Sequence, residues 1–252
     1  MTVNIFDLSN IAAQLEGLEE TIIYKLLDRA QFKTNRRAYK PGFSGFYGES
    51  KRCLFDIRLS SHETMDAKFG RFHVPEERPF TDNLPSSRRK VSLPPTQLAI
   101  SDYDLVNVSG DIKKAYIELL ATLCDDGDDG QYGSSVEYDV FAVQSIGRRI
   151  HFGALYVAES KFITSPAEYT ELIRNRNENG LMEKLTRKDV EDRIISRVHE
   201  KICSIQSNVN RTVRRVIDPD IIVNFYREII IPLTKKGEIL YLVNRKLSCQ
   251  YK

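Results

Sequence analysis

Apolar residues recur along most of the chain at three- and four-residue spacing, and the strict alternation of a half-buried strand is missing. Leu8, Ile11, Leu15, Leu18, Ile22 and Leu26 form one stripe. It predicts a first helix capped by Asp7 or Ser9 and reaching about Phe32. Gly, Pro and aromatic residues make Ala38–Gly48 a loop, and a second helix follows over Glu49–Phe69. Val74–Pro95 holds five prolines and reads as a long irregular connection. Ile112, Ala115, Tyr116, Leu119 and Leu120 predict a helix over Asp111–Leu123. A central helix begins near Ser134 and runs through Phe162. Pro166 suits the first turn of a short helix, and Gly180 is expected to end a second. Val190, Ile194, Ile195, Val198 and Ile202 predict a helix over Val190–Ile205. Asp218-Pro219 opens a last helix to about Arg245, kinked at Pro232. The β-branched run Ile229–Ile231 is too short for a strand and sits in helical periodicity. The fold class is all-α: a single-domain multi-helix bundle over residues 1–252, with long central and C-terminal helices.

Within the central helix, Val143, Ile146, Ile150 and Ala154 set the apolar spacing, yet Arg148, Arg149, His151, Glu159 and Lys161 lie among them. A surface helix keeps its charges on one face, so some of these face inward. Buried cations need anionic partners. Two arrangements satisfy that requirement: a site for a small, multiply charged anion, or a network of ion pairs with nearby Asp and Glu.

Composition narrows the function class. A chain of 252 residues with 41% hydrophobic and 29% charged residues is ordinary for a globular protein. A net charge of +2 is too balanced for a nucleic-acid partner. The clusters Arg36-Arg37, Arg88–Lys90 and Arg214-Arg215 lie far apart without interleaved aromatics and read as solvated surface. The N-terminus carries no basic-then-apolar signal pattern, and no apolar run is long enough to span a membrane. Cys53, Cys124, Cys203 and Cys249 are scattered without a CxxC pair, which predicts free thiols in a reducing compartment and no zinc site. Cys124–Gly133 superficially suggests a calcium loop. Gly127 occupies a ligand position and Val136 stands where the closing Glu belongs, so an exposed acidic turn is expected instead.

The segment R-R-I-H-F-G-x-x-Y-V-A-E-S-K-F, Arg148–Phe162, resembles the signature helix of the long, all-helical chorismate mutases of fungi and plants. The likeness extends in order along the chain. Leu18–Lys25 is similar to the family's first helix, and Pro75–Phe80 to its P-D/E-E-T-P-F loop. Asp111–Glu118, Val190-Glu191 and Tyr226–Thr234 match as well. The resemblance implies the pericyclic rearrangement of chorismate to prephenate, on the branch toward phenylalanine and tyrosine. That reaction needs no metal, cofactor or nucleophile. It needs a dianion held in a folded, near-attack shape and charge stabilised on the breaking ether oxygen. By position, Arg149 would clamp a carboxylate through its planar fork. Lys161 and a protonated Glu238 would donate to the ether oxygen, Glu238 needing a pKa raised by burial. Thr234 would assist at a carboxylate, and Glu191 would accept from the substrate hydroxyl. Taken alone, Thr234 and Glu238 read as an ordinary exposed helix face; the whole-chain resemblance favours the site. The resemblance also implies a cytoplasmic homodimer.

Three departures from the family pattern bear on activity. Ala12 stands where the family's first-helix arginine binds a carboxylate. Arg187 stands where asparagine is usual, four residues before Glu191, and either replaces the missing cation or points to solvent. Arg149 and Lys161 are twelve residues apart, not the family's eleven, which in a regular helix turns them about 120° out of line. A one-residue π-bulge within Gly153–Val157 would realign them. The family's effector site for aromatic amino acids, between subunits, is matched at Arg71, Gly133 and Ser134. It is eroded at Gly70, Gly130, Glu137 and Asp218, so feedback by tyrosine or tryptophan is not expected. Three outcomes follow: an active mutase, a catalytically impaired relative serving as a binding or regulatory protein, or an enzyme on a related chorismate-derived compound.

Overall fold

The computed structural model describes residues 5–247, which leaves Cys249 outside the described residues. The helices are Leu8–Arg29 (α1), Leu54–Phe69 (α2), Ser109–Leu123 (α3), Tyr132–Phe152 (α4), Ala158–Thr164 (α5), Pro166–Arg174 (α6), Glu178–Leu185 (α7), Lys188–Ser207 (α8), Pro219–Phe225 (α9) and Ile231–Asn244 (α10). A π-turn over Gly153–Val157 joins α4 to α5, and a second over Tyr226–Ile230 joins α9 to α10. Both long helices therefore run on without a break. No strand occurs among the described residues.

The apolar stripes meet in two adjoining cores. Ile22, Ile23 and Leu26 of α1 pack with Ile112 and Tyr116 of α3, with Val140, Val143 and Ile146 of α4, and with Val198 and Ile202 of α8. Ala154, Leu155, Ala158 and Phe162 pack with Tyr169, Leu181, Tyr241 and Leu242 in the second core. Each buried Leu, Ile, Val or Phe among them contributes about 1.5–3 kcal/mol by leaving water. A buried polar cluster crosses the first core. Arg29 and Asp139, both fully buried, pair at 2.6 Å, and Tyr116 donates to Asp139 at 2.7 Å. Removing one partner of such a pair costs about 3–5 kcal/mol, because the other charge stays buried.

Helix ends differ from the sequence expectation where side chains take over the capping. Asp7 caps α1, accepting from the Ser9 N–H at 2.8 Å. That helix ends at Arg29, short of Phe32, because the Arg29 guanidinium turns back onto the carbonyl oxygens of Lys33 at 3.1 Å and Thr34 at 3.3 Å. The second helix starts at Leu54 rather than Glu49: Cys53 is its cap, with Sγ taking the Asp56 N–H at 3.4 Å. Gly180 does not end a helix. It lies in the first turn of α7, its N–H donating to the Asn177 side chain at 2.9 Å. A Cβ there would stand 2.7 Å from both Asn177 and Leu172, so the glycine serves close packing. The disruption expected at Pro232 takes the form of the π-turn just before it. The acidic turn is exposed at Asp125, Asp126 and Asp128. Asp129 is tied down, accepting from the Lys33 N–H at 2.9 Å and the Asn35 side chain at 3.0 Å.

Candidate active site

The charges of the central helix separate into those paired within the fold and those that line a cavity. His151 and Glu159 serve structure. His151 Nε2 accepts from the Val108 N–H at 3.0 Å, and Glu159 takes Arg245 at 2.7 Å and Tyr241 at 2.6 Å. Arg148 is exposed and faces Glu77 at 3.3 Å. Arg149 and Lys161 both line one cavity of about 420 Å³. The π-turn Gly153–Val157 lies between them and turns two residues twelve apart toward the same space.

The cavity lies between α1, the central helix, the end of α7, α8 and α10. Leu8, Ile11, Ala12 and Leu15 of α1 form an apolar wall with Val190 and Ile194 of α8. From α10, Thr234 is buried and accepts from Arg149 Nη1 at 3.2 Å. Its own hydroxyl donates to the Ile230 carbonyl at 2.7 Å. One turn later Glu238, 4% exposed, takes Lys161 Nζ at 3.1 Å. Burial pushes the Glu238 carboxyl above its ordinary range, against the opposing pull of Lys161, Lys235 and Arg149. Lys161 also donates to the Leu185 carbonyl at 3.1 Å, pinning the segment between α7 and α8. Arg149 lies over the Tyr226 ring at 5.7 Å, and its buried Nε has no acceptor among the described residues. Such a donor costs about 1–3 kcal/mol until an acceptor arrives.

The cavity lining carries the cations Arg149, Lys161, Arg187, Arg193, Arg197 and Lys235 against the acids Glu16, Glu19, Glu191 and Glu238. With Glu238 protonated the excess is three positive charges, suited to a small dicarboxylate. Among the described residues no group of three or more His, Cys, Asp or Glu could hold a metal ion. Nor, among the described residues, is any helix long and apolar enough to cross a membrane.

No family model matches the chain. It is 34% identical over 250 residues to the chorismate mutase of Saccharomyces cerevisiae, covering 96% of each protein. It is 35% identical over 247 residues to the cytosolic chorismate mutase 2 of Zea mays, covering 94% of this chain and 95% of that one. The chain belongs to the chorismate mutase family. Its fold agrees: the solved chorismate mutase of Candida albicans, in complex with L-tryptophan, superposes with a TM-score of 0.89 at 30% identity, covering 98% of this chain and 95% of that one. The chloroplast chorismate mutase of Zea mays gives 0.82 at 33% identity, covering 96% of each.

Arg149, Lys161, Glu191, Thr234, Glu238 and Arg187, the residues that the mutase resemblance singled out, all line the cavity. Glu191 is bound by Lys235 Nζ at 3.0 Å. Arg187 sits at the rim as the residue before α8, with 65% of its side chain exposed and Asp189 beside it at 3.3 Å. Arg71, Gly133 and Ser134 do not come together within one chain. Arg71 is held by Asp66 at 2.7 Å, Glu77 at 2.8 Å and Gln144 at 2.8 Å. Gly133 and Ser134 lie exposed at the start of α4, about 16 Å of helix rise from Gln144. Gly70 ends α2 with φ of 85°, and a Cβ there would meet Val91; a larger residue would not fit at that place in this chain.

Two parts of the site escaped the sequence reading. Glu19 is fully buried and gathers Arg197 at 2.7 Å, Lys201 at 3.7 Å and Arg149 at 3.8 Å. Its signal was its register: Glu19 falls at four-residue spacing within the buried stripe between Leu15 and Ile23. Lys235, which holds Glu191, carries no such mark, because lysine beside an amphipathic stripe is ordinary.

Proposed function

We propose that this chain rearranges chorismate to prephenate, as a single domain over residues 1–252 and as a homodimer in the cytoplasm. One observation carries the site assignment: Arg149, Lys161 and Glu238 face one cavity although the spacing of the first two would separate them in a regular helix. Arg149, with its unfilled Nε and its neighbour Thr234, takes one carboxylate. Lys161 and protonated Glu238, 3.1 Å apart, donate together to the ether oxygen as its bond breaks and negative charge collects there. The reaction consumes no external proton, so these donors need only be in place and un-ionised where required. Glu191, presented by Lys235, accepts from the ring hydroxyl. The apolar wall holds the ring and its side chain folded over one another, which lowers the barrier by orientation. Arg187 reaches the second carboxylate in place of the cation that Ala12 lacks. It is fixed at the rim by a segment that both cavity lysines grip: Lys161 at Leu185 and Lys235 at Thr186.

Loss of chorismate absorbance with the purified protein tests the proposal. Turnover that disappears in Arg149→Ala is expected, a loss of at least about 100-fold in kcat/KM. No turnover by the native chain would turn the assignment toward a binding or regulatory protein. The specific observation on that side is Ala12, which leaves an apolar wall where a cation is expected. Turnover of a related chorismate-derived compound, and not of chorismate, would mark the third outcome.

A further inference from the structure

We infer that Gly237 is a positioning residue: its bare Cα receives the π-turn of the central helix and thereby sets Glu238 against Lys161. The inference rests on the mutase reading of this cavity and extends it to a residue that touches no substrate.

The central helix holds one residue more between Arg149 and Lys161 than a regular helix would need to align them, and the π-turn Gly153–Val157 takes it up. A bulged turn is wider than an α-turn, so something facing it must give way. The two elements approach most tightly where each carries a glycine. A Cβ at Gly237 would stand 2.6 Å from Ala154 Cβ, and a Cβ at Gly153 would stand 2.7 Å from Thr234 Cγ2. The glycines lie on opposite elements, so π-turn and last helix interlock reciprocally. The functional contacts flank this lock. Arg149 meets Thr234 at 3.2 Å on one side, and Lys161 meets Glu238 at 3.1 Å on the other. A methyl group at position 237 would press on Ala154 Cβ and the backbone beneath it, while Val106 Cγ1, at 3.8 Å, stays in ordinary contact. It would move α10 from the bulge or flatten the bulge, and either motion pulls Glu238 from Lys161. Misplacement by about 1 Å costs on the order of 100-fold in rate.

The test is Gly237→Ala, with the double variant Ala154→Gly/Gly237→Ala, which moves the methyl from one side of the contact to the other. Two readouts apply: steady-state kinetics with chorismate, and titration of the Glu238 carboxyl by carbon NMR. The carboxyl reports its neighbours directly: Lys161 on α5, Lys235 on α10, Arg149 on α4 and Tyr169 on α6. Expected are a kcat loss of about 10- to 100-fold in the single variant with a smaller change in KM, a shifted Glu238 midpoint, and return of both in the double variant. A merely structural role, in which the glycine only makes room for Ala154, predicts lower stability with kcat and midpoint unchanged. That result overturns the inference, as does a double variant no better than the single one. If the single variant does not fold, a folded double variant with the native midpoint supports the inference and an unfolded one overturns it. Should the native chain not turn over chorismate, the mutase assignment fails, and the NMR midpoints alone still decide the role of Gly237.

Discussion

Glu238 shows how a fold can favour the protonated form of one carboxyl. It is buried beside Lys161, and burial wins, raising its pKa. Donation to an ether oxygen requires the protonated form, so kcat holds at low pH and falls as pH rises through that raised pKa. Glu238→Gln keeps a donor that does not titrate. Its pH–kcat profile is expected to lose the alkaline fall, and a fall that persists in the variant would place the titrating group elsewhere. At the rim, Arg187→Ala is expected to lower kcat/KM by about 10- to 150-fold, the worth of a charged hydrogen bond of about 1.5–3 kcal/mol. Ala12→Arg restores a cation to the apolar wall and is expected to recover most of that loss. Unchanged kinetics in Arg187→Ala would leave this arginine in solvent.

The central helix is the element on which both stability and chemistry depend. His151 ties its last α-turn to the start of α3 through the Val108 N–H. Burial, aided by nearby Arg78, pushes the imidazole from 6.5 down to about 3. The folded protein therefore binds fewer protons there than the unfolded chain does. Stability is complete above about 6.5 and is lost as pH falls, by up to about 1.4 kcal/mol per pH unit until about 3. His151→Gln is expected to lower stability at pH 7 while flattening the acid slope, which urea melts between pH 4 and 7 would register; an unchanged slope would assign acid sensitivity to other groups.

For the molecule as a whole, a response to an effector depends on assembly. Arg71 is saturated by Asp66, Glu77 and Gln144, while Gly133 and Ser134 lie a full 16 Å or so further along α4. An effector touching both must bridge two chains, and Arg71 would have to leave its carboxylates to meet it. Addition of tryptophan or tyrosine at millimolar concentration is therefore expected to leave the rate of chorismate loss unchanged. A clear activation or inhibition would show that a second chain completes the site.

Periodicity alone determined that this protein is helical, roughly where each helix runs, and that the central helix carries charges inward. Local physics decides those things: apolar residues at three- and four-residue spacing have no other way to leave water together. Residue order along the chain, matched to a family, named Arg149, Lys161, Glu191, Thr234 and Glu238, and an excess residue between the first two implied the bulge. Tertiary structure decided the rest. Which inward charges face the cavity and which brace the fold depends on partners far away in sequence, Arg245 for Glu159 and Glu238 for Lys161. Glu19 became part of the cavity only when α8 brought Arg197 and Lys201 against it. Gly180 packs a helix start instead of ending one because Asn177 and Leu172 close over it. A contact between distant residues is an energy that no local window contains, so the packed chain alone can assign it.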